Sequence, residues 1–143
     1  MAGMVAPRPC RRRPGERPAQ FRRDEATRAS ASVLQAGAGL YEKHCVDCHG
    51  AAGEGMAGAY PVRAGSRAVQ LADPVNLVQT VLRGGHAPVT SANPRPFGMP
   101  PYPVLLADAE VAALLTFVRS AWGNQATPVP ELAVGQLRSG LKE

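Results

Sequence analysis

The sequence predicts an all-α domain of three to five helices joined by long loops. Apolar side chains recur at helical spacing in three stretches, around residues 33–44, 75–82 and 108–122. The segments between these stretches are rich in glycine and proline, which interrupt regular structure. No stretch has the period-two alternation of a half-buried strand. A chain of 143 residues is therefore expected to form one domain with tails.

The charge of the chain is concentrated at its N-terminus. Residues 1–30 hold eight arginines and three acidic residues, which accounts for the whole net charge of +5. We therefore expect residues 1–31 to be a disordered Arg/Pro-rich tail in which Cys10 is incidental, and we expect no nucleic-acid partner. No apolar run reaches 18 residues, so membrane association is expected only through partners.

The first helix is predicted to begin at Ser32, as N-cap, and to run into Cys45. Gly37 and Tyr41 are four residues apart and share one face of this helix. A small and an aromatic side chain on one face predict that another helix crosses there at close distance.

The motif Cys45-Val46-Asp47-Cys48-His49 follows directly and is the attachment signature of a c-type haem. Each of the two thiols can form a thioether to a haem vinyl group, and the histidine is then held as an axial ligand. Half of a zinc site and a thioredoxin-like thiol pair are the alternatives. Zinc lacks a second pair of ligands in this sequence, and a thioredoxin-like pair lacks the βαβ pattern that it requires.

Turn and cap residues divide the rest of the chain. Residues 50–72 are predicted to be a loop, and Asp73-Pro74 to begin a helix that ends at Gly84-Gly85. Six prolines make residues 86–104 an irregular loop.

The helix predicted after this loop runs from Asp108 to Trp122, with Arg119 as a cation in its last turn. A short helix is expected within 131–142, with Leu132, Val134 and Leu137 facing inward. We place the domain at 32–125 and a C-terminal extension at 126–143.

Residues 33–123 together resemble class I cytochrome c. Gly37 and Tyr41 before the Cys45–His49 motif, then Pro61, then Met99-Pro100 and a closing helix, follow the order of that family. Ala72-Asp73-Pro74, Arg83-Gly84-Gly85 and the segment 93–100 are most similar to the last haem domain of the multihaem cytochrome c subunits of membrane-bound alcohol and gluconate dehydrogenases.

The resemblance implies a class I cytochrome c fold wrapped round one haem c, covalently attached through Cys45 and Cys48. His49 is then the proximal and Met99 the distal iron ligand, and the Pro61 carbonyl accepts the Nδ1–H of His49. The closing helix is expected to cross Gly37 and Tyr41 near Leu114, Phe117 and Val118. Met99 lies on a proline-flanked loop 50 residues after His49, which leaves chain enough to reach the opposite haem face. His86 is the competing distal ligand.

Two positions depart from the family pattern. Arg63 stands where a Pro-x-Leu pattern has leucine, and an arginine fits there only if its guanidinium reaches a haem propionate or solvent. We therefore expect Arg63 or Arg67 to bind the propionates. Ala107 replaces a serine N-cap that would complete a capping box with Glu110, and Asp108 is the alternative cap.

The function expected from these residues is one-electron transfer, because an iron with both axial positions filled has no open site for substrate. The expected partners are a flavin- or quinone-type dehydrogenase subunit and a quinone. A haem enzyme or gas sensor with a weak distal ligand, and a thiol or metal-binding module without haem, are the alternative interpretations.

Thioether attachment points to a periplasmic location, although no signal peptide is recognisable. We interpret this conflict as a sign that the chain is a fragment or has a misplaced start.

Overall fold

The computed structural model describes residues 29–91, 94 and 96–141. Most of the predicted tail, including Cys10, lies outside these residues. Within the described part, the helices are α1 (Ala31–His44), α2 (Val46–His49), α3 (Val75–Arg83), α4 (Asp108–Ser120) and α5 (Glu131–Ser139). The all-helical prediction is confirmed, apart from one short antiparallel ribbon of β1 (Gly85–His86) and β2 (Gly98–Met99). None of these helices is both long enough and apolar enough to span a membrane.

The N-cap of α1 lies two residues before the predicted one. Ser30 is the N-cap, and its hydroxyl accepts a hydrogen bond from the Val33 amide. The prediction of Ser32 was wrong because either serine satisfies the same sequence rule, and only the backbone conformation distinguishes them.

The crossing of α1 by α4 is the centre of the fold. A Cβ atom built on Gly37 would lie 2.2 Å from the Ala113 carbonyl oxygen and 2.7 Å from Phe117 Cβ. Tyr41 packs on Phe117 and Trp122, with ring centroids 5.8 and 4.8 Å apart. The predicted close crossing is therefore confirmed, and only glycine at position 37 permits it.

Helix α3 and the ribbon form the side of the fold that carries Met99. The Asp73 carboxylate accepts from the Val75 amide at 3.0 Å, as a cap at Asp73 would, although the first helical residue is Val75 and not the predicted Pro74. Gly84 ends α3 with φ 69°, and a Cβ there would lie 2.4 Å from the Met99 carbonyl oxygen. The glycine thus permits both the turn and the close approach of the Met99 segment.

Helix α5 packs on the same core, since Val134 is fully buried and Leu137 is half-buried. Leu132 is 73% exposed, so its predicted inward position was wrong. Residues 132 and 134 differ by about 200° around a helix and cannot both face the core.

Arg119 is the predicted cation in the last turn of α4, and it is fully buried. Its guanidinium donates to the carbonyl oxygens of Val69, Leu71 and Thr127 at 2.8–2.9 Å. Burial lowers the pKa of Arg119 from its ordinary value. This side chain therefore ties α4 to two segments that are far apart in sequence.

The predicted α4 cap at Asp108 was also wrong. Ala107 precedes the first helical residue, and its amide donates to Glu110 Oε2 at 2.8 Å. Because alanine has no side-chain acceptor, only the glutamate half of a capping box is formed. The Asp108 carboxylate instead pairs with Arg138 of α5.

Candidate functional site

The Cys45–His49 motif lies where α1 ends and the single turn of α2 begins. The Cys45 amide donates to Tyr41 O at 2.9 Å, and the His49 amide donates to Cys45 O at 2.9 Å. The Tyr41 hydroxyl donates to Gly50 O at 2.8 Å and holds the residue after the motif. Both thiols are free and half-buried, and burial raises the pKa of the Cys45 thiol to about 11.

His49 is 9% exposed, and both hydrogen bonds described for its side chain involve Nδ1. Nδ1 lies 3.3 Å from the Pro61 carbonyl oxygen, which can only accept, so this contact requires a proton on Nδ1. Nε2 is then the unprotonated nitrogen and has a lone pair for a metal. Burial, and after it the charge of Arg63, lowers the pKa of His49 and favours this neutral imidazole.

Arg63 lies beside the same nitrogen, with its Nε 3.4 Å from His49 Nδ1. An Nδ1 that donates to Pro61 cannot also accept from Arg63, so the two contacts are mutually exclusive. With Nδ1 protonated, the guanidinium has no other acceptor among the described residues. Burial lowers the pKa of Arg63, which is the direction expected for a cation without a paired anion.

Two adjoining cavities open in front of His49. The larger holds about 240 Å³ and is lined on the attachment side by Cys48, His49 and Pro61. The smaller holds about 40 Å³ and has Cys45 in its wall. The rest of its lining is mainly apolar: Leu77, Val81, Leu114, Leu115 and Val118. Four residues line both cavities: His49, Arg63, Thr80 and Met99.

The ribbon separates the two candidate distal ligands. Met99 is paired with Gly85, and His86 with Gly98, so Met99 and His86 project from opposite faces of the ribbon. A Cβ on Gly98 would lie 2.4 Å from His86 Cε1, which shows that the imidazole covers Gly98, and both residues line the larger cavity. Met99 is half-buried against the core, whereas His86 is exposed.

The predicted site residues are mostly brought together. Cys45, Cys48, His49, Pro61, Arg63 and Met99 line one or both cavities. Arg67 is exposed and lies outside both linings, so the geometry gives no support to a role in propionate binding.

Two lining or supporting residues were missed by the sequence reasoning. Thr80 lines both cavities, but no sequence motif distinguishes it from the other polar residues of α3. Asn124 is buried and donates to Arg63 O at 3.1 Å and to Val118 O at 2.8 Å, which fixes the loop that carries Arg63. Its position just after Gly123, which the sequence marks as a break in structure, was the one signal available.

The described residues fit a c-type haem. Two free thiols border the cavities, His49 lines both and has an Nε2 without a described hydrogen bond, the thioether of Met99 lines both as well, and the smaller cavity is lined mainly by apolar side chains. The zinc alternative finds no support, because the described residues contain no group of three His, Cys, Asp or Glu side chains able to hold a metal ion.

Comparison with known proteins agrees with this geometry. The family model described as Cytochrome c matches residues 34–122. The cytochrome c subunit of the quinone alcohol dehydrogenase of Gluconacetobacter polyoxogenes is 36% identical over 90 residues, which are 63% of this chain and 19% of that protein. The gluconate 2-dehydrogenase cytochrome c subunit of Pantoea cypripedii is 33% identical over 93 residues, 64% of this chain and 21% of that protein.

A third relative is the fructose dehydrogenase cytochrome subunit of Gluconobacter japonicus. It is 32% identical over 114 residues, which are 75% of this chain and 23% of that protein. The chain therefore spans about a fifth of the length of the curated relatives it matches.

Proposed function

The chain belongs to the cytochrome c family and is an electron carrier with a covalent haem c, and from this premise we propose that His49 and Met99 are its axial ligands. Cys45 and Cys48 hold the two thioethers in this proposal. The haem supplies a one-electron couple at its iron, and the protein sets the potential and keeps the iron closed to substrate.

The observation that carries the ligand proposal is that His49 and Met99 line the same two cavities. The Pro61 carbonyl fixes the His49 tautomer that leaves Nε2 available. Met99 lines both cavities from the ribbon side, and a thioether is a suitable and potential-raising ligand for haem iron. His86 lines only the larger cavity and is exposed, whereas Met99 lines both cavities and is half-buried against the core, which supports the choice of Met99 over His86.

We also propose that Arg63 binds a haem propionate. Protonation of His49 Nδ1 removes the only acceptor that the described residues offer to the Arg63 side chain. A propionate would supply a charge-assisted hydrogen bond to a cation that is already desolvated. Asn124, which fixes the Arg63 carbonyl, would hold the backbone while the side chain turns.

The relatives support a proposal about the setting of this electron transfer. They are named as cytochrome subunits of alcohol, gluconate and fructose dehydrogenases. We propose that this chain receives electrons from a dehydrogenase subunit of the flavin or quinone type and passes them toward a quinone. Covalent haem attachment favours a periplasmic or periplasmic-side location for this exchange.

The substitution Met99→Ala tests the ligand proposal. The ferric wild-type holoprotein is expected to show the weak absorption band of methionine–iron ligation, and the variant is expected to lose it and to bind carbon monoxide readily when reduced. Met56→Ala is the matched control, because Met56 is 58% exposed and lies outside both cavities. An unchanged Met99→Ala spectrum, or rapid carbon monoxide binding by the reduced wild type, would exclude Met99 as the ligand.

A further inference from the structure

Helix α5 contacts the segment that follows Met99 through one arginine. Arg138 donates from Nη1 to Pro103 O, from Nη2 to Leu106 O at 2.8 Å, and from Nε to the Asp108 carboxylate. The Arg138 side chain is only 19% exposed, so these contacts are partly shielded from water. Arg138 lies beyond residues 34–122, which the family model matches, and so is a feature outside that shared unit.

The segment held by Arg138 is one end of what we call the Met99 loop, residues 99–106. Its middle is fixed at Tyr102, whose amide donates to Val81 O at 2.9 Å and whose hydroxyl donates to His44 O at 3.1 Å. The Leu106 amide donates to Tyr102 O at 3.3 Å and closes residues 102–106 into a turn. Arg138 binds two carbonyls of this same turn.

The Met99 loop is stiff between the ligand and the turn. Pro100, Pro101 and Pro103 each fix φ near −65°, which leaves few soft dihedrals between Met99 and the carbonyls that Arg138 binds. Because few backbone dihedrals between Met99 and the turn can rotate freely, we expect a restraint on the turn to restrain the methionine as well.

We propose that Arg138 is a positioning residue for Met99: it holds the Met99 loop against α4 and α5 and lowers the population of the state in which the thioether has left the iron. This inference rests on the proposed ligation by Met99. Removal of the Arg138 hydrogen bonds destabilises the state in which the Met99 loop is held in place. The state in which the loop has moved away and is hydrated does not depend on these bonds, so its free energy changes little.

The experiment measures imidazole binding to the ferric holoprotein, because an external ligand enters only when Met99 has dissociated. In Arg138→Ala the observed binding rate is expected to rise about tenfold or more over the wild type at equal imidazole concentration. Arg138→Lys keeps one charge but lacks the planar fork, so its rate is expected to be intermediate. Arg83→Ala is the matched control, since Arg83 is an exposed arginine at the end of α3.

Two further variants separate the possible failures. Met99→Ala is expected to bind imidazole without a delay for ligand dissociation and to lack the methionine–iron band. Any other outcome would contradict the proposed ligation by Met99. If Met99→Ala behaves as expected but Arg138→Ala binds imidazole at the wild-type rate, the positioning role is wrong. Gly37→Ala lowers the stability of the protein at the α1–α4 crossing, away from the Met99 loop. If imidazole binding were accelerated equally in Gly37→Ala, the effect of Arg138 would be one of general stability and the positioning role would be wrong.

Discussion

Arg63 stands where the class I cytochrome c pattern is expected to have leucine, and this difference bears on the chemistry proposed for the site. Leucine at this position would only pack, whereas the guanidinium of Arg63 lies 3.4 Å from His49 Nδ1 in the wall of both cavities. A cation near the iron disfavours the ferric state, which carries one more positive charge than the ferrous state. Arg63 is therefore expected to raise the reduction potential.

The substitution Arg63→Leu is expected to lower the reduction potential of the holoprotein by an amount on the order of tens of millivolts, because it removes that charge. Arg63→Lys keeps the charge and should recover part of the shift. Spectroelectrochemical titration measures the effect. Arg67→Leu serves as the control, since Arg67 is exposed and lies outside both cavities, and a larger shift in Arg67→Leu than in Arg63→Leu would contradict this assignment.

Arg119 illustrates what residue-level reading of the sequence misses. A cation in the last turn of a helix is normally interpreted as a solvated partner of the helix dipole. Arg119, however, follows Val118 directly and lies four residues after Leu115, on the buried face of α4. Its acceptors are carbonyls of residues 69, 71 and 127, and no sequence pattern marks which distant carbonyls lack a donor.

At the scale of elements, the crossing of α1 and α4 was predictable because it depends on a local pattern, a glycine and an aromatic residue four positions apart. The ribbon was not predictable. Two residues per strand are too few for an alternating pattern, and the proline-rich segment between the strands favoured irregular structure. Its pairing instead reflects the close approach that Gly84 allows to the Met99 segment.

Two glycines of α1 provide a matched test of the crossing. Gly37→Ala is expected to destabilise the holoprotein by about 1–3 kcal/mol, because its Cβ would overlap the Ala113 carbonyl and Phe117. Gly39→Ala is expected to stabilise it by about 0.5–1 kcal/mol, because nothing lies within 4 Å of its Cβ and alanine is the better helix former. Urea unfolding followed by circular dichroism measures both. A similar destabilisation in the two variants would show that the crossing is looser than described.

At the scale of the whole molecule, the cofactor chemistry could be predicted from the sequence more completely than the side-chain packing could. The attachment motif and the all-α class could be recognised because each depends on short-range patterns. Met99 was proposed from its flanking prolines and its distance from His49, and its ligation remains a prediction. The division at residues 125 and 126 also remains a prediction, although Val129 and Val134 beyond it are buried in the core.

The cofactor is expected to be part of the folded molecule, because the cavities lie between α3, α4 and the attachment motif. The double variant Cys45→Ala/Cys48→Ala should therefore lack the added mass of haem and show less helical circular dichroism than the holoprotein. Mass spectrometry of the purified chain measures attachment. Cys10→Ala is the control and should keep its haem, and covalent haem in the double variant would refute attachment at Cys45 and Cys48.

The two ends of the unit that the family model matches, residues 34–122, lie in or just after helices that meet at the Gly37 crossing. Along α1, the first helical residue lies about 9 Å from the crossing, and along α4, the last lies about 5 Å beyond Phe117. Both ends of the unit that the family model matches therefore lie within about 10 Å of this crossing, measured along their helices. A folded unit whose two ends lie near one helix crossing can be inserted into a surface loop of another domain, or joined in series to similar units by short linkers, without distortion of either partner.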